Sequence, residues 1–85
     1  MILLRVVKAA EPVPETVLYS NGTVKYTGFY LDGAFHGSWT WNRTDGSVMR
    51  TGQFERGRQV GVWRTFDRSG QVVKETDFTK ATKAG

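Results

Sequence analysis

Apolar and polar residues alternate with a period of two through most of this chain, and glycines interrupt the alternation at regular intervals. Val24 to Leu31 is rich in β-branched and aromatic residues and runs into Asp32-Gly33, a turn signal. Ser38 to Asn42 carries Trp39 and Trp41 in alternation, and Thr44-Asp45-Gly46 turns the chain again. The pattern then repeats as Val48 to Glu55, a turn around Arg56-Gly57, Val62 to Phe66, and a turn at Arg68-Ser69-Gly70. Gln71 to Phe78 reads as the last strand, and Thr79 to Gly85 as a frayed tail. No segment after Tyr19 has a helical period. The expectation is a five-stranded antiparallel meander.

The elements recur every 24 residues without insertion or deletion: Gly22, Gly46 and Gly70 align, as do Val24, Val48 and Val72. Gly28 aligns with Gly52, Gly33 with Gly57, Gly37 with Gly61, and Trp39 with Trp63, while Tyr30, Phe54 and Phe78 form an aromatic column. One fixed period across so many columns identifies a hairpin repeat in three copies, the third incomplete. Alternation places Val24, Tyr26, Gly28, Tyr30, Gly37, Trp39, Trp41, Val48, Gly52, Phe54, Gly61, Trp63, Val72 and Phe78 on one face, with Arg50 and Lys74 among them. The other face is mainly polar, with Phe29, Leu31, Met49 and Val73 as exceptions. Glycine among rings has a physical use, since bare backbone lets a neighbouring ring lie flat. A simple two-residue turn register places Trp39 opposite Tyr26 and diagonal to Gly28.

These residues resemble the MORN repeat (membrane occupation and recognition nexus). The carrying motifs are Tyr26-Thr27-Gly28-Phe29-Tyr30, Asp32-Gly33 and His36-Gly37-Ser38-Trp39, then Gly52-Gln53-Phe54-Glu55-Arg56-Gly57 and Gly61-Val62-Trp63. The similarity runs from about Tyr19 to Phe78 and is greatest to a short bacterial variant that includes antitoxin-like repeat proteins. Val60 stands where His36 stands in the first copy, and the third copy lacks its second strand. The resemblance implies an all-β fold: a single-layer curved antiparallel meander of β-hairpin repeats, about five strands with room for an N-terminal strand or short segment. It also implies aromatics on the concave face, a role in protein–protein contacts or phospholipid binding, and no catalytic residues in the repeat itself. The chain accordingly divides into an N-terminal segment with a Pro-containing linker (1–18), the repeats (19–78) and a C-terminal tail (79–85).

Composition narrows the chemistry. The chain has 85 residues, 39% of them hydrophobic and 13% aromatic, so a single small domain must bury most of its rings to fold. With no cysteine, disulfides, thiolate metal sites and cysteine nucleophiles are excluded. His36 is the only histidine and stands beside a turn glycine, which marks it as a hydrogen-bonding group rather than a metal ligand. Asp32, Asp45 and Asp67 fall at turns, where capping of nearby backbone accounts for them. Glu75 and Asp77 lie two apart on the polar face, where a single sheet offers no pocket for paired-carboxylate chemistry. The expectation is no enzyme, no cofactor, no metal and no small-molecule substrate. The Met1 to Val7 run is too short for a signal-peptide core and nothing approaches a transmembrane helix, which predicts a cytoplasmic protein.

The binding reading rests on Tyr26, Tyr30, Trp39, Trp41, Phe54, Trp63 and Phe78, with Trp39, Trp63 and Tyr30 as anchors and Arg50 at their margin. A one-layer sheet cannot cover its own apolar face. Ile2 to Val7 could fold back over it across Pro12-Val13-Pro14, a second copy could pack face to face, or a foreign protein partner could occupy it. Two open sheet edges add to the expectation of a homodimer. The rival reading draws on the formal charge of +4 and on Arg43, Arg50, Arg56, Arg58, Arg64 and Arg68 of the second unit. Arginines interleaved with rings could hold anionic lipid headgroups or nucleic acid.

Overall fold

The computed structural model describes residues 10–81. They form six strands and one helical turn: β1 (Val13–Leu18), β2 (Val24–Leu31), β3 (Ala34–Asn42), β4 (Val48–Glu55), β5 (Arg58–Phe66), β6 (Val72–Asp77) and α1 (Phe78–Ala81). Spatial order equals chain order and every neighbouring pair is antiparallel, so the sheet is an open meander with β1 and β6 as its edges. The Cα positions span only 14 Å in their thinnest direction. The all-β hairpin meander expected from the alternation is the fold observed. Among the described residues, no helix is long and apolar enough to cross a membrane.

The two rims of the sheet use different turns. Asp32 and Gly33 have φ of 51° and 82°, and Arg56 and Gly57 have 49° and 90°. Two consecutive positive angles define the type I′ hairpin turn, whose twist matches the flanking strands. On the opposite rim Gly22, Gly46 and Gly70 each donate an N–H to the carbonyl three residues back, on Tyr19, Arg43 and Asp67, at 2.9, 2.9 and 3.0 Å. Their φ values of 89°, 90° and 91° are the left-handed conformation that closes each turn, and a separate one-residue bulge lies in the strand beyond it, at Lys25, Met49 and Val73.

Several details differ from the alternation pattern. β1 fills the room left for an N-terminal strand and starts inside the Pro12-Val13-Pro14 stretch expected to act as a linker. An edge strand tolerates Pro14 because its missing N–H faces away from the sheet or costs one ladder bond at most. The segment Ile2 to Val7 lies outside the described residues. β3 and β5 begin at Ala34 and Arg58, well before Ser38 and Val62, because the type I′ turns use only two residues. At the other end, Phe78 leaves the strand and opens α1, with the Asp77 carboxylate accepting the Thr79 N–H at 2.9 Å as an N-cap.

The register also corrects one expected pair. Leu31 faces Ala34 and Phe29 faces His36, as a two-residue turn requires, but Thr27 then faces Thr40 and Tyr26 faces Trp41. Between those points Gly28 alone opposes Gly37, Ser38 and Trp39, a bulge that displaces Trp39 from the predicted position opposite Tyr26. Gly37 permits it with φ of 75°, and Gly61 repeats it in β5 with φ of 70°. Both glycines turn away from the rings. A β-carbon on Gly37 would meet Phe29, and one on Gly61 would meet Gln53.

Candidate interaction face

Cross-strand register assembles the aromatic side one row at a time. One row reads Glu15, Gly28, Trp39, Gly52, Trp63, Thr76 from β1 to β6, alternating indole and glycine through its middle. Each indole lies over the glycine of the preceding strand and donates its Nε1–H to two backbone carbonyls. For Trp39 these are Phe29 and His36, both at 3.2 Å; for Trp63 they are Gln53 at 3.2 Å and Val60 at 3.1 Å. Satisfying the indole N–H while its ring lies flat is what allows these side chains to be buried. Trp39 and Trp63 retain 2% and 4% of their exposure, and with Leu31 they are the buried apolar residues among those described.

Other rings pack around the two indoles. Trp39 meets Tyr26 at 5.7 Å, Tyr30 at 5.4 Å, Phe35 at 4.5 Å and Trp41 at 5.9 Å between centroids. Trp63 meets Trp41 at 5.5 Å, Phe54 at 5.1 Å and Phe78 at 6.1 Å. Arg50 lies 4.9 Å above the Trp63 ring, a cation–π contact. All seven aromatic residues singled out from the sequence, and Arg50, thus share one connected face. Phe35 completes it and was missed because the strand was expected to start only at Ser38. Its signal was the Asp32-Gly33 turn, which forces Phe35 opposite Tyr30, where the rings are 5.5 Å apart.

Access to this face is uneven. The indoles expected to anchor a partner are sealed beneath their neighbours, whereas Phe35 is 39% exposed and Tyr26, Tyr30, Trp41, Phe54 and Phe78 are half-buried. Loss of water around Tyr30 raises its hydroxyl pKa above the ordinary value, with nearby Tyr26 and Glu15 adding to the effect. The opposite face has a polar row, Thr16, Thr27, Thr40, Thr51, Arg64 and Glu75, joined by direct register pairs.

The second-unit arginines do not form one patch. Arg64 pairs with Glu75 at 2.7 Å on the polar face, and Arg68 pairs with Asp45 at 3.0 Å on the rim of the longer turns. Arg56 stands 4.0 Å from Asp32 on the other rim. Arg43 spends its guanidinium on the Ser47 hydroxyl and on the carbonyls of Val48 and Phe66. Only Arg50 of this group sits on the aromatic face.

The remaining polar candidates hold turns. His36 Nδ1 accepts the Arg56 N–H at 3.1 Å, tying the β4–β5 turn to β3. Asp45 accepts from the Ser47 hydroxyl and amide, which together with Arg68 lower its pKa to about 2. Asp67 is lowered by the Ser69 hydroxyl and then by backbone N–H groups of its own turn. Among the described residues no cluster of three or more His, Cys, Asp or Glu side chains could hold a metal ion. No family model, no curated protein and no solved structure matches this chain.

Proposed function

We propose that this protein is a small interaction module whose aromatic face closes against another polypeptide, either a protein partner or a second copy of itself, without catalysis. The observation that carries the reading is the connected ring network on one side of a one-layer sheet, with Phe35 exposed at its margin. A sheet with one apolar face gains stability by covering it, and rings with few rotatable bonds lose little freedom when they are covered. The 24-residue hairpin period and the indole-over-glycine rows support, as part of this reading, kinship with the MORN repeat.

Sedimentation of the purified chain from about 1 to 100 μM, a range in which interfaces of ordinary size associate, tests the self-association arm. The expected result is a reversible dimer that Phe35→Ser and Trp41→Ser both weaken at least tenfold. If the chain stays monomeric, capture from the native host with wild type and the same two variants tests the partner arm. Retention by the variants of everything retained by wild type removes the aromatic face as the contact.

A further inference from the structure

Two cations lie on the aromatic side with no carboxylate partner among the described residues. Arg50 lies over the Trp63 ring at 4.9 Å, and among the described residues neither Arg50 nor Lys74 has an ion pair. They are brought together by register. Arg50 faces Thr65, and Thr65 faces Lys74, so a hydroxyl stands on the strand between two positive side chains. Two strand spacings separate the cations, roughly 9.5 Å at the backbone, well within the combined reach of an arginine and a lysine. Trp63 and Thr76, themselves a register pair in the next row, complete a concavity of about 110 Å³ with Arg50, Thr65 and Lys74.

The same positions earlier in the repeat show that this feature is local. The column of Arg50 and Lys74 holds Tyr26 in the first unit, and the column of Thr65 holds Val17 and Trp41. One row of the face therefore passes from apolar and aromatic in β1 to β3 (Val17, Tyr26, Trp41) to cationic and hydroxylic in β4 to β6 (Arg50, Thr65, Lys74). The Arg50 guanidinium lies 4.9 Å from the Trp63 ring centroid, and a ring contact of this kind uses the cation's charge without taking an acceptor for its N–H groups. Two like charges sharing a concavity repel each other, and no carboxylate among the described residues pairs with either.

We propose that this concavity binds a doubly charged tetrahedral oxyanion, a phosphate or a phosphate monoester. Arg50 and Lys74 supply the charge, and the Thr65 and Thr76 hydroxyls donate to the remaining oxygens. A carboxylate neutralises only one of the two cations and presents two oxygens to donors from three strands. A phosphate dianion neutralises both and presents more acceptors, through charge-assisted bonds. The proposal stands apart from the polypeptide contact, since it needs neither Phe35 nor Trp41.

Calorimetric titration at low salt with inorganic phosphate, sulfate and acetate tests it, with amide shifts of Thr65 and the Trp63 indole locating the site. Phosphate and sulfate are expected to saturate the same signals, with acetate at least tenfold weaker. Glycerol 1-phosphate affinity should fall as pH drops below about 6, where the phosphate monoester dianion takes up a proton and becomes a monoanion, while sulfate affinity holds. Arg50→Gln with Lys74→Gln should weaken phosphate at least tenfold, and so should Lys74→Gln alone, which leaves the Trp63 contact intact. Arg58→Gln should change nothing. Vesicles bearing a phosphate-monoester headgroup separate the sources: retention lost in the double variant points to a lipid phosphate, and free phosphate binding without retention points to a soluble one. Acetate binding as tightly as phosphate, or a double variant that binds phosphate like wild type, overturns the proposal.

Discussion

Trp39 lies flat on Gly28, so close that a β-carbon on the glycine would stand 2.0 Å from the indole; Trp63 and Gly52 repeat the arrangement at 2.2 Å. Ring and bare backbone are therefore one structural unit, used twice. It accounts for both nearly sealed indoles in a sheet that has no second layer among its described residues. The end strands lack it, with Glu15 in the Trp position of β1 and Thr76 in the Gly position of β6.

Any side chain at these two glycines must displace a buried indole whose N–H is held by two carbonyls. Gly28→Ala and Gly52→Ala should each cost about 3 kcal/mol, the range of overpacked sites. Gly22→Ala, with φ of 89° but open space around its β-carbon, should cost only about 1 kcal/mol of backbone strain. Urea unfolding at constant m-value measures all three. Equal losses at Gly28 and Gly22 would mean that conformation, not ring packing, selects the glycines.

Much of this was legible in the residue order. Asp32-Gly33 and Arg56-Gly57 announced their hairpins, and the spacing of Gly28, Trp39, Gly52 and Trp63 placed all four on one face. The bulge at Gly37 was not legible, because strict alternation assumes a constant register and glycine has no polarity to report. Tyr26 was consequently paired with Trp39 instead of Trp41. β1 was obscured by Pro14 and by Glu15 in an indole's column. The arginines of the second unit looked like one basic patch because their partners lie 11, 23 and 24 residues away, at Glu75, Asp45 and Asp32. Only the register reveals that three of the six have carboxylate partners, and that Arg50 and Lys74 share the aromatic side.

Arg56 occupies the first position of a type I′ turn at φ of 49°, a conformation that asparagine and glycine adopt with less strain. Its ion pair with Asp32 is 4.0 Å long and exposed on both sides, and such pairs contribute little. Arg56→Asn should therefore stabilise the protein by about 0.5 kcal/mol. The backbone N–H that His36 accepts is retained. A lower thermal midpoint in the variant would show that the arginine side chain outweighs the turn conformation.

Successive long turns are stitched together by the same column of residues. The Tyr19 hydroxyl donates to the Asn42 carbonyl at 2.7 Å, and Arg43 donates to the Phe66 carbonyl. Tyr19→Phe keeps the ring and removes one neutral hydrogen bond, so a loss of about 1 kcal/mol is expected. Arg43→Lys keeps the charge but not the fork that also reaches Val48, and about 2 kcal/mol is expected for bonds made by a charged donor. Hydrogen exchange should quicken along this rim more in the arginine variant. A larger effect from Tyr19→Phe would reverse the assignment.

Acid should unfold the protein through the rim of the long turns. Asp45 has a folded pKa of about 2 and Asp67 is also lowered, both chiefly by the serine two residues on, at Ser47 and Ser69. The unfolded chain holds its aspartates near the ordinary value of about 3.9 and so binds more protons than the folded chain between these limits. The stabilisation is therefore complete above about pH 4 and is lost as pH falls through the folded value near 2. The thermal midpoint should be flat from neutrality to pH 5 and drop steeply between 4 and 2. Asp45→Asn should remove part of that slope, and Asp45→Asn with Asp67→Asn most of it, because neither asparagine titrates. A double variant with the wild-type slope would place the acid-labile groups outside these turns.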